Sequence, residues 1–182
     1  MDFIILDNKQ KERYSNDILK MLTDADMDFV PPLSARNSTL QSNFNTTFAP
    51  TNANAVEEYF LKMMSQSVLG IFIDGEIVGV ISYIENHVLG VITEDSLPNI
   101  YISTLVLKPK TRGQKLTEKA YNYLFNELYE YRNIFTRTWS TNFAHLHILE
   151  KFNFREFKRI YNDRGNGVDT VYLVRERVNN AI

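Results

Sequence analysis

The chain has 182 residues, a length typical of one domain with its own hydrophobic core. Hydrophobic residues make up 44% of it and aromatic residues 13%, with only seven glycines and five prolines, which excludes disordered, collagen-like and low-complexity proteins. Twenty Lys and Arg against 22 Asp and Glu give a formal charge of −2, so no overall positive field attracts nucleic acid or anionic lipid.

The first third of the chain is predicted to form one strand, two helices and a long loop. Phe3–Leu6 is a short apolar run typical of a strand. Apolar residues that recur every three or four positions predict helices over 9–25 and 56–64. Residues 26–54 are rich in Asn, Ser, Thr and Pro and have no sustained period, and a loop this long is usually functional. Its aromatic residues either line a pocket or pin the loop to the protein: Phe29, Phe44 and Phe48.

A hairpin and a further strand are predicted in the middle of the chain. Two apolar runs, 68–73 and 76–85, are separated by Asp74-Gly75, which supplies the positive φ angles of a two-residue turn. Residues 100–107 are rich in β-branched and aromatic side chains and predict a strand, closed by Pro109. The helix that follows ends near residue 130, and its predicted buried face consists of Leu116, Ala120, Tyr123, Leu124, Leu128 and Tyr131.

The last third is predicted to alternate strands with one helix. The predicted elements are strands over 134–139, 155–161 and 168–174, a helix over 143–152, and a hairpin loop over 163–167. No internal repeat or linker divides the sequence. The predicted fold is a single α+β domain, residues 1–182, in which a mostly antiparallel central sheet of about seven strands is flanked by about four helices.

The stretch Leu105–Thr117 is a candidate anion site. A strand ends there, a short loop turns, and a helix begins with unpaired N–H groups at the positive end of its dipole. Five positive charges fall within twelve positions, against only Glu118: Lys108, Lys110, Arg112, Lys115 and Lys119. Charge alone fits either a phosphate site or a solvated basic turn.

This stretch resembles the acyl-coenzyme A binding segment of the GNAT superfamily of N-acyltransferases. The signature of that segment is a hydrophobic strand, Pro, then Arg/Gln-x-x-Gly-x-Gly/Ala at the start of a helix. Arg112 and Gly113 match the usual Arg-Gly pair, whereas Lys115 and Thr117 stand where the family usually has Gly and Gly or Ala. We expect glycines there to provide steric room rather than backbone freedom, because these positions are predicted to lie in a helical turn.

A second segment resembles the same family at the expected distance downstream. Asn142 follows a strand and starts a helix ending in Leu149-Glu150-Lys151-Phe152-Asn153-Phe154, which is similar to the family's Asn-x-x-Ala-x-x-x-Tyr-x-Lys-x-Gly-Phe. With the strand order, the resemblance covers about residues 68–175. In the family this Asn helps to hold the pantetheine arm where two parallel strands splay apart. Asn142 also suits a helix N-cap, and both roles can hold at once.

The resemblance implies a GNAT-like splayed sheet and direct transfer of an acyl group, commonly acetyl, from coenzyme A to a primary amine. Acetyl-CoA or another acyl-CoA is the implied co-substrate, and no metal is implied. The other implied partner is an amine that the sequence does not identify, for which loop 26–54 is a candidate wall, and the chain is expected to be a monomer or homodimer. The residues expected to bind the acyl-CoA are Leu105, Val106, Leu107, Arg112, Gly113, Gln114, Lys115, Leu116, Thr117 and Asn142.

The resemblance leaves the acid–base chemistry to residues outside the usual pattern. The family's frequent Tyr acid, seven positions after the Asn, falls on Leu149, which cannot donate a proton. The Glu base of some members falls on Tyr101, with Ser103 on the same strand face. Glu85 is the nearest carboxylate by sequence, although its position at a strand end also suits a surface acid. We rank Tyr101, Ser103 and Glu85 as the candidates, with Tyr101 able to order a water or donate to the departing thiolate.

Metal and membrane sites are not expected. Cys is absent, which excludes disulfides and thiolate nucleophiles, and the three histidines are His87, His145 and His147. His145 and His147 point to different sides of a helix and cannot form a metal pair, so His145 is expected to pack on the sheet or reach the cofactor. The amino-terminal apolar run is bracketed by acids, and no stretch approaches the roughly 18 apolar residues of a membrane span. We therefore expect a cytoplasmic protein.

Two other functions are open. A non-catalytic acyl-CoA sensor or assembly module would account for Lys115, Thr117 and Leu149 at motif positions. A single-stranded RNA binder would use the basic stretch beside Tyr121 and Tyr123. The negative net charge and the partly buried position of those tyrosines argue against RNA, and we expect no nucleic-acid partner.

Overall fold

The computed structural model describes residues 1–36, 38–41, 43–44, 55–88, 90–128 and 132–177. Within these ranges the strands are Asp2–Ile5 (β1), Ser67–Ile73 (β2), Glu76–Glu85 (β3), Asn99–Leu107 (β4), Asn133–Trp139 (β5), Arg155–Ile160 (β6) and Thr170–Arg175 (β7). The α-helices of the same ranges are Asn8–Arg13 (α1), Ser15–Asp24 (α2), Ala55–Met64 (α3), Leu116–Asn122 (α4) and Phe143–Lys151 (α5).

The seven strands form one sheet in the order β1-β2-β3-β4-β5-β7-β6. β4 pairs with β5 in parallel, whereas β1 with β2, β2 with β3, β5 with β7 and β6 with β7 are antiparallel. The predicted α+β fold with a mostly antiparallel sheet is therefore confirmed, and each predicted strand lies within two residues of its observed bounds. The parallel pairing runs from Asn99 opposite Asn133 to Ile102 opposite Thr136, and both strands continue past it.

The helix predicted over 9–25 is two helices. Asp7 caps α1 through a capping box with Gln10, and α1 ends at Arg13. Tyr14 then leaves helical geometry, with φ −98° and ψ 7°, and its ring packs edge-on against Phe72 at 5.2 Å. The apolar period runs through this break, so periodicity alone predicted one helix and a total of four rather than five.

The chain divides into two compact units, and the first contains residues 1–83 and 103–116. Helices α2 and α3 bury their apolar faces against β2, β3 and the end of β4. The Asp74-Gly75 turn has φ values of +49° and +79°, which confirms the predicted two-residue hairpin. The buried core of this unit consists of Leu6, Ile18, Met21, Leu22, Ala25, Leu33, Tyr59, Met63, Val68, Phe72, Ile77, Val80 and Val106.

The described part of loop 26–54 is pinned by one arginine. The Arg36 guanidinium lies 5.2 Å from the centre of the Phe29 ring and 5.4 Å from that of Phe44. The same group donates hydrogen bonds to the main-chain carbonyls of Val30 and Pro31. Of the two predicted roles for the aromatic residues, these contacts favour pinning. Residues 45–54, with Phe48, lie outside the described residues.

The second unit contains residues 84–102 and those from 117 onward. In it α4 continues as a π-helix over Tyr123–Leu128. Tyr121 in α4 and Phe125 in the π-helix lie in the core, both 0% exposed. The prediction that Tyr123 belongs to the buried face is wrong, since this residue is only partly buried. Leu116, Ala120 and Leu124 are buried as predicted, whereas the Leu128 side chain and Tyr131 lie outside the described residues.

Candidate functional site

The end of β4 is held firmly against β3 in the first unit. A Cβ built on Gly79 would lie 2.3 Å from Leu107 Cδ2 and 2.9 Å from the Val106 carbonyl oxygen, so only glycine allows this approach. The Lys108 N–H donates to the Val78 carbonyl at 2.8 Å. The Val106 side chain is buried in the core, whereas Leu105 and Leu107 are partly exposed. Val106 can therefore contact a ligand only through its main chain.

The loop after β4 contains two left-handed residues. A 3₁₀ turn over Pro109–Thr111 leads to Arg112 in an extended conformation, and Gly113 follows with φ +79°. Lys115 has φ +57°, and the helix begins only at Leu116. The expectation that Lys115 lies in a helical turn, with steric room as the reason for glycine, is therefore wrong. Glycine suits this position because an L-residue in the left-handed region is strained.

The main chain of this loop presents hydrogen-bond donors. The N–H groups of Gly113, Gln114 and Lys115 donate to no partner among the described residues, and all three residues are exposed. A Cβ built on Gly113 would meet nothing within 4 Å, so the backbone is open on that side. Successive free N–H groups in a loop that alternates through left-handed residues form an anion-binding concavity. Leu116 and Thr117 are 2% and 8% exposed, so they can add main-chain donors only.

The cations of this loop differ in their acidic partners. Lys108 and Lys110 both face Glu76 Oε1, at 2.7 and 3.4 Å, and they lower the pKa of that carboxyl, Lys108 most. Arg112 Nη2 lies 2.5 Å from Asp28 Oδ2 in the pinned loop. Within the described ranges Lys115 contacts no acid. The loop therefore carries more positive than negative charge beside its free N–H groups.

In the second unit Asn142 caps α5. Its Oδ1 accepts the His145 N–H at 3.3 Å, and its Nδ2 donates to Thr138 Oγ1 at 3.1 Å. The Asn142 N–H donates to the Trp139 carbonyl at 3.0 Å. These bonds confirm the N-cap role and fix the side-chain amide, which keeps one Nδ2 hydrogen without a partner among the described residues.

A neutral Tyr–His pair lies behind this cap. His145 Nε2 is 2.7 Å from the Tyr121 hydroxyl. Burial lowers the pKa of His145 from 6.5 to about 4 and raises the pKa of Tyr121 well above its ordinary value. His145 therefore packs on a helical tyrosine. Because Tyr121 is fully buried, it cannot stack on a nucleic-acid base.

The candidate acid–base residues differ in their surroundings. Leu149 stands at the family's usual tyrosine position, and its side chain is fully buried and has no proton to donate. Glu85 Oε2 is 3.0 Å from Arg132 Nη1 in an ion pair. Ser103 donates its hydroxyl proton to Gln66 Oε1 and lies 2.8 Å from the Ser82 hydroxyl. The Gln66 amide continues this chain to Thr39 Oγ1 at 2.7 Å, which ties Ser103 to loop 26–54.

Tyr101 has a partner that sequence reasoning missed. The His87 ring stacks on the Tyr101 ring, with centroids 4.8 Å apart and planes at 29°. His87 follows β3 in an irregular segment, where no period or motif connects it to β4. The structure also shows that Asn99, a fully buried polar residue at the start of β4, hydrogen-bonds to the His87 main chain. In the part of the chain that the structure describes, no group of three or more His, Asp or Glu could hold a metal ion. Among the helices within the described ranges, none could span a lipid bilayer.

Comparison with known proteins gives one family and many similar structures. Residues 35–154 match the acetyltransferase (GNAT) family. No curated protein matches the sequence. A ribosomal-protein-alanine N-acetyltransferase from Brucella melitensis is 15% identical with a TM-score of 0.63, over 97% of this chain and 99% of that one.

Two further structures contain a ligand. YncA from Salmonella typhimurium, solved with its cofactor acetyl-CoA, is 12% identical with a TM-score of 0.62, over 100% of this chain and 96% of that one. An aminoglycoside 6'-N-acetyltransferase complexed with coenzyme A is 13% identical with a TM-score of 0.64, over 96% of both chains. At these identities the likeness shows the fold alone.

Proposed function

We propose a function from the family to which the chain belongs, the acetyltransferase (GNAT) family. The protein transfers an acyl group, which we take to be acetyl, from acyl-CoA to a primary amine. Residues 1–182 act as one N-acyltransferase domain, and loop 26–54 forms a wall of the acceptor site. The hydrogen-bonded chain from Thr39 through Gln66 to Ser103 supports this role for the loop.

The observation that carries the proposal is the row of free, exposed N–H groups from Gly113 to Lys115. A diphosphate needs several donors and positive charge at close range, and this loop offers both. Arg112 and Lys115 supply the side-chain charge, while Gln114, Leu116 and Thr117 contribute through the main chain. The residues present therefore fit the diphosphate of coenzyme A.

The remaining donor contacts follow from the strand end and the helix cap. The main chain of Leu105, Val106 and Leu107 binds the acyl-pantetheine arm, and a strand N–H near Leu105 polarises the thioester carbonyl. Asn142 donates its remaining Nδ2 hydrogen to an amide carbonyl of that arm. The bonds that fix Asn142 to Thr138 and the start of α5 hold this donor in one orientation.

The reaction needs a neutral amine. The acceptor ammonium loses one proton to a base, and its nitrogen then bonds to the acyl carbon as the carbon–sulfur bond breaks. The second nitrogen-bound proton is lost as the amide forms, and the thiolate takes up one proton. Tyr101 can donate that proton or order a water, while Ser103 and Glu85 are the further candidates for the proton on the amine. Ser103 already donates to Gln66, and Glu85 is paired with Arg132, so each would have to release a partner to act.

A second candidate function is a non-catalytic acyl-CoA-binding sensor or assembly module. The buried Leu149 favours it, because no proton donor occupies the usual acid position. Such a module would keep the diphosphate loop and lack turnover. Binding and turnover therefore have to be measured on the same sample.

The experiment for the donor site is calorimetric titration of coenzyme A into the wild-type protein and single variants. We expect Arg112→Ala to weaken binding by about 10- to 100-fold, as for one lost charge-assisted contact. Arg155→Ala is the matched control, since Arg155 is also exposed and paired with an acid, Glu176. Gly113→Glu is compared with Gly113→Ala: both strain the same positive φ, but only Glu adds negative charge. Unchanged affinity in Arg112→Ala and Gly113→Glu would refute the assigned loop.

Turnover separates the enzyme from the module. Mass spectrometry of the purified protein identifies any carried-over coenzyme A species, and the acyl group found is then offered with a panel of small amines, amino acids, aminoglycosides and peptide N-termini. Thiol release with one class supports an N-acyltransferase and names its acceptor. Tight binding of acyl-CoA without thiol release across the panel supports the module.

A further inference from the structure

We infer that His87 is the general base that takes the proton from the acceptor ammonium, an assignment that rests on the proposed function. Its imidazole stacks on Tyr101, the residue at which the resemblance places the base of some family members. Stacking places the His87 ring beside that position, with its centroid 4.8 Å from that of the Tyr101 ring, so the base need not be a residue of β4. None of the three ranked candidates is His87, so the assignment adds a residue to the site.

The position of His87 is fixed by a buried side chain. Asn99, which is 0% exposed, accepts the His87 N–H at 2.8 Å and donates to the His87 carbonyl at 3.0 Å. The second Nδ2 hydrogen of Asn99 goes to Ser96 Oγ at 2.8 Å, so every hydrogen of the amide is used. The Asn86 N–H also donates to the Asn99 carbonyl at 2.8 Å. These bonds fix the His87 main chain, and stacking on Tyr101 orients its ring, as proton transfer requires.

The groups that face His87 keep it unprotonated. Tyr101 on β4 presents a neutral ring, and Arg137 on β5 is the charged group near enough to act on the imidazole. Arg137 is itself held by the Tyr172 hydroxyl on β7, at 3.3 Å. Partial burial lowers the pKa of His87 below 6.5, and repulsion by Arg137 lowers it further. The imidazole is therefore a free base at neutral pH, as a proton acceptor must be.

The other candidate bases, Glu85 and Ser103, already have partners. Glu85, two residues before His87, is paired with Arg132, and the Ser103 hydroxyl donates to Gln66. A tyrosine hydroxyl serves better as a proton donor than as an acceptor at neutral pH, so Tyr101 takes the donor role. His87 and Tyr101 thus form a base and an acid in one stacked pair.

The proton balance is simple. His87 takes one proton from the ammonium and later passes it to solvent. The neutral amine forms the carbon–nitrogen bond as the carbon–sulfur bond breaks, and the thiolate receives the second nitrogen-bound proton, with Tyr101 as its donor or relay. One ammonium and one acyl-CoA therefore give one amide, one thiol and one proton.

The test compares two amines of similar size and different basicity, ethylamine and 2,2,2-trifluoroethylamine, with acetyl-CoA as donor. Fluorination makes the amine largely unprotonated at neutral pH, so it needs no base. We expect His87→Gln to lower kcat/KM for ethylamine by about 100-fold or more and for trifluoroethylamine by less than about tenfold. The rise of the wild-type pH profile that reports a base below pH 6.5 is lost in the variant. Equal losses for both amines, or an unchanged pH profile, would overturn the assignment.

Two controls separate this assignment from the proposed function. His147→Gln removes an imidazole whose side chain is 67% exposed and is expected to change neither amine's kinetics. Acetyl-CoA affinity is measured for every variant: if the wild type does not bind acetyl-CoA, the proposed function fails. If binding is intact and His87→Gln behaves as wild type, only the assignment of His87 fails. Because the chain has three histidines, proton NMR of wild type and the two variants identifies the His87 resonance, and titration of that resonance above pH 6.5 would also overturn it.

Discussion

The ion pair between Arg112 and Asp28 predicts that coenzyme A affinity is restrained by an acid of the protein itself. Arg112 is the proposed diphosphate ligand, yet its Nη2 lies 2.5 Å from Asp28 Oδ2. A diphosphate has to displace that carboxylate or accept it as a neighbour of like charge. Asp28→Asn removes both costs and keeps the shape of the side chain, so the variant is expected to bind coenzyme A more tightly.

The size of the gain follows from the exposure of the pair. The Arg112 and Asp28 side chains are 45% and 50% exposed, and pairs of this kind contribute about 0.2–1 kcal/mol. The upper value corresponds to about a fivefold gain in affinity. Salt screens the repulsion, since the Debye length falls from about 10 Å at 0.1 M to about 3 Å at 1 M, so the gain shrinks at high ionic strength.

Titration calorimetry of coenzyme A at two salt concentrations measures this effect. Asp24→Asn is the matched control: Asp24 is 45% exposed and paired with Lys20 at 3.1 Å within α2. If Asp28→Asn bound coenzyme A no more tightly than Asp24→Asn at low salt, Arg112 would not be the diphosphate ligand in the way proposed. A gain that persisted unchanged at 1 M salt would contradict the electrostatic explanation.

Two further predictions concern stability, both measured by urea unfolding. Lys115→Gly removes the strain of an L-residue with φ +57°, about 1–2 kcal/mol, at an entropy cost of about 0.5–1 kcal/mol for glycine. The free energy of unfolding is therefore expected to rise by about 0.5–1 kcal/mol. The control Lys119→Gly, inside α4, should lower it by about 1 kcal/mol. Burial gives His145 a folded pKa of about 4 against 6.5 when unfolded, so its contribution is complete above pH 6.5 and is lost as the pH falls toward 4. Because the residue is only partly buried, this loss is at most about 3 kcal/mol. His145→Gln should lack this part of the acid destabilisation, and an equal loss in both proteins would contradict the burial of the neutral ring.

Much of the fold could be predicted from sequence because its signals are local. The Asp74-Gly75 turn demands positive φ angles, and the structure has them at both residues. Alternating and helical periods located the strands and most helices to within a few residues. The failures occur where the helical period does not hold. Tyr14 packs on Phe72 at the break in the first predicted helix, and Tyr123, where the π-helix begins, is only partly buried.

The candidate site was predictable in part for the same reason. Asn142 caps the helix that follows it in sequence, so its role is visible in one segment. The partners of the acid–base residues come from distant positions: Arg132 lies 47 residues from Glu85, and Gln66 lies 37 residues from Ser103. No period or motif in a single sequence connects such pairs. His87 was missed because what distinguishes it is a stacking partner on another strand.

The two halves of the proposed reaction therefore differ in what a sequence can reveal. Binding of the acyl-CoA depends on main-chain N–H groups. A sequence can indicate that main-chain geometry through residues that accept a positive φ, as Gly113 does. Proton removal from the acceptor depends on which side chain can accept a proton, and that is decided by contacts between several elements. Ser103 and Glu85 have partners, whereas His87 stacks on Tyr101 and is neutral. A motif departure such as Leu149 favours the non-catalytic module only if no other residue supplies the proton chemistry. Such a departure leaves the proton chemistry to be supplied by another residue, and the stacked His87 is the base that this structure offers.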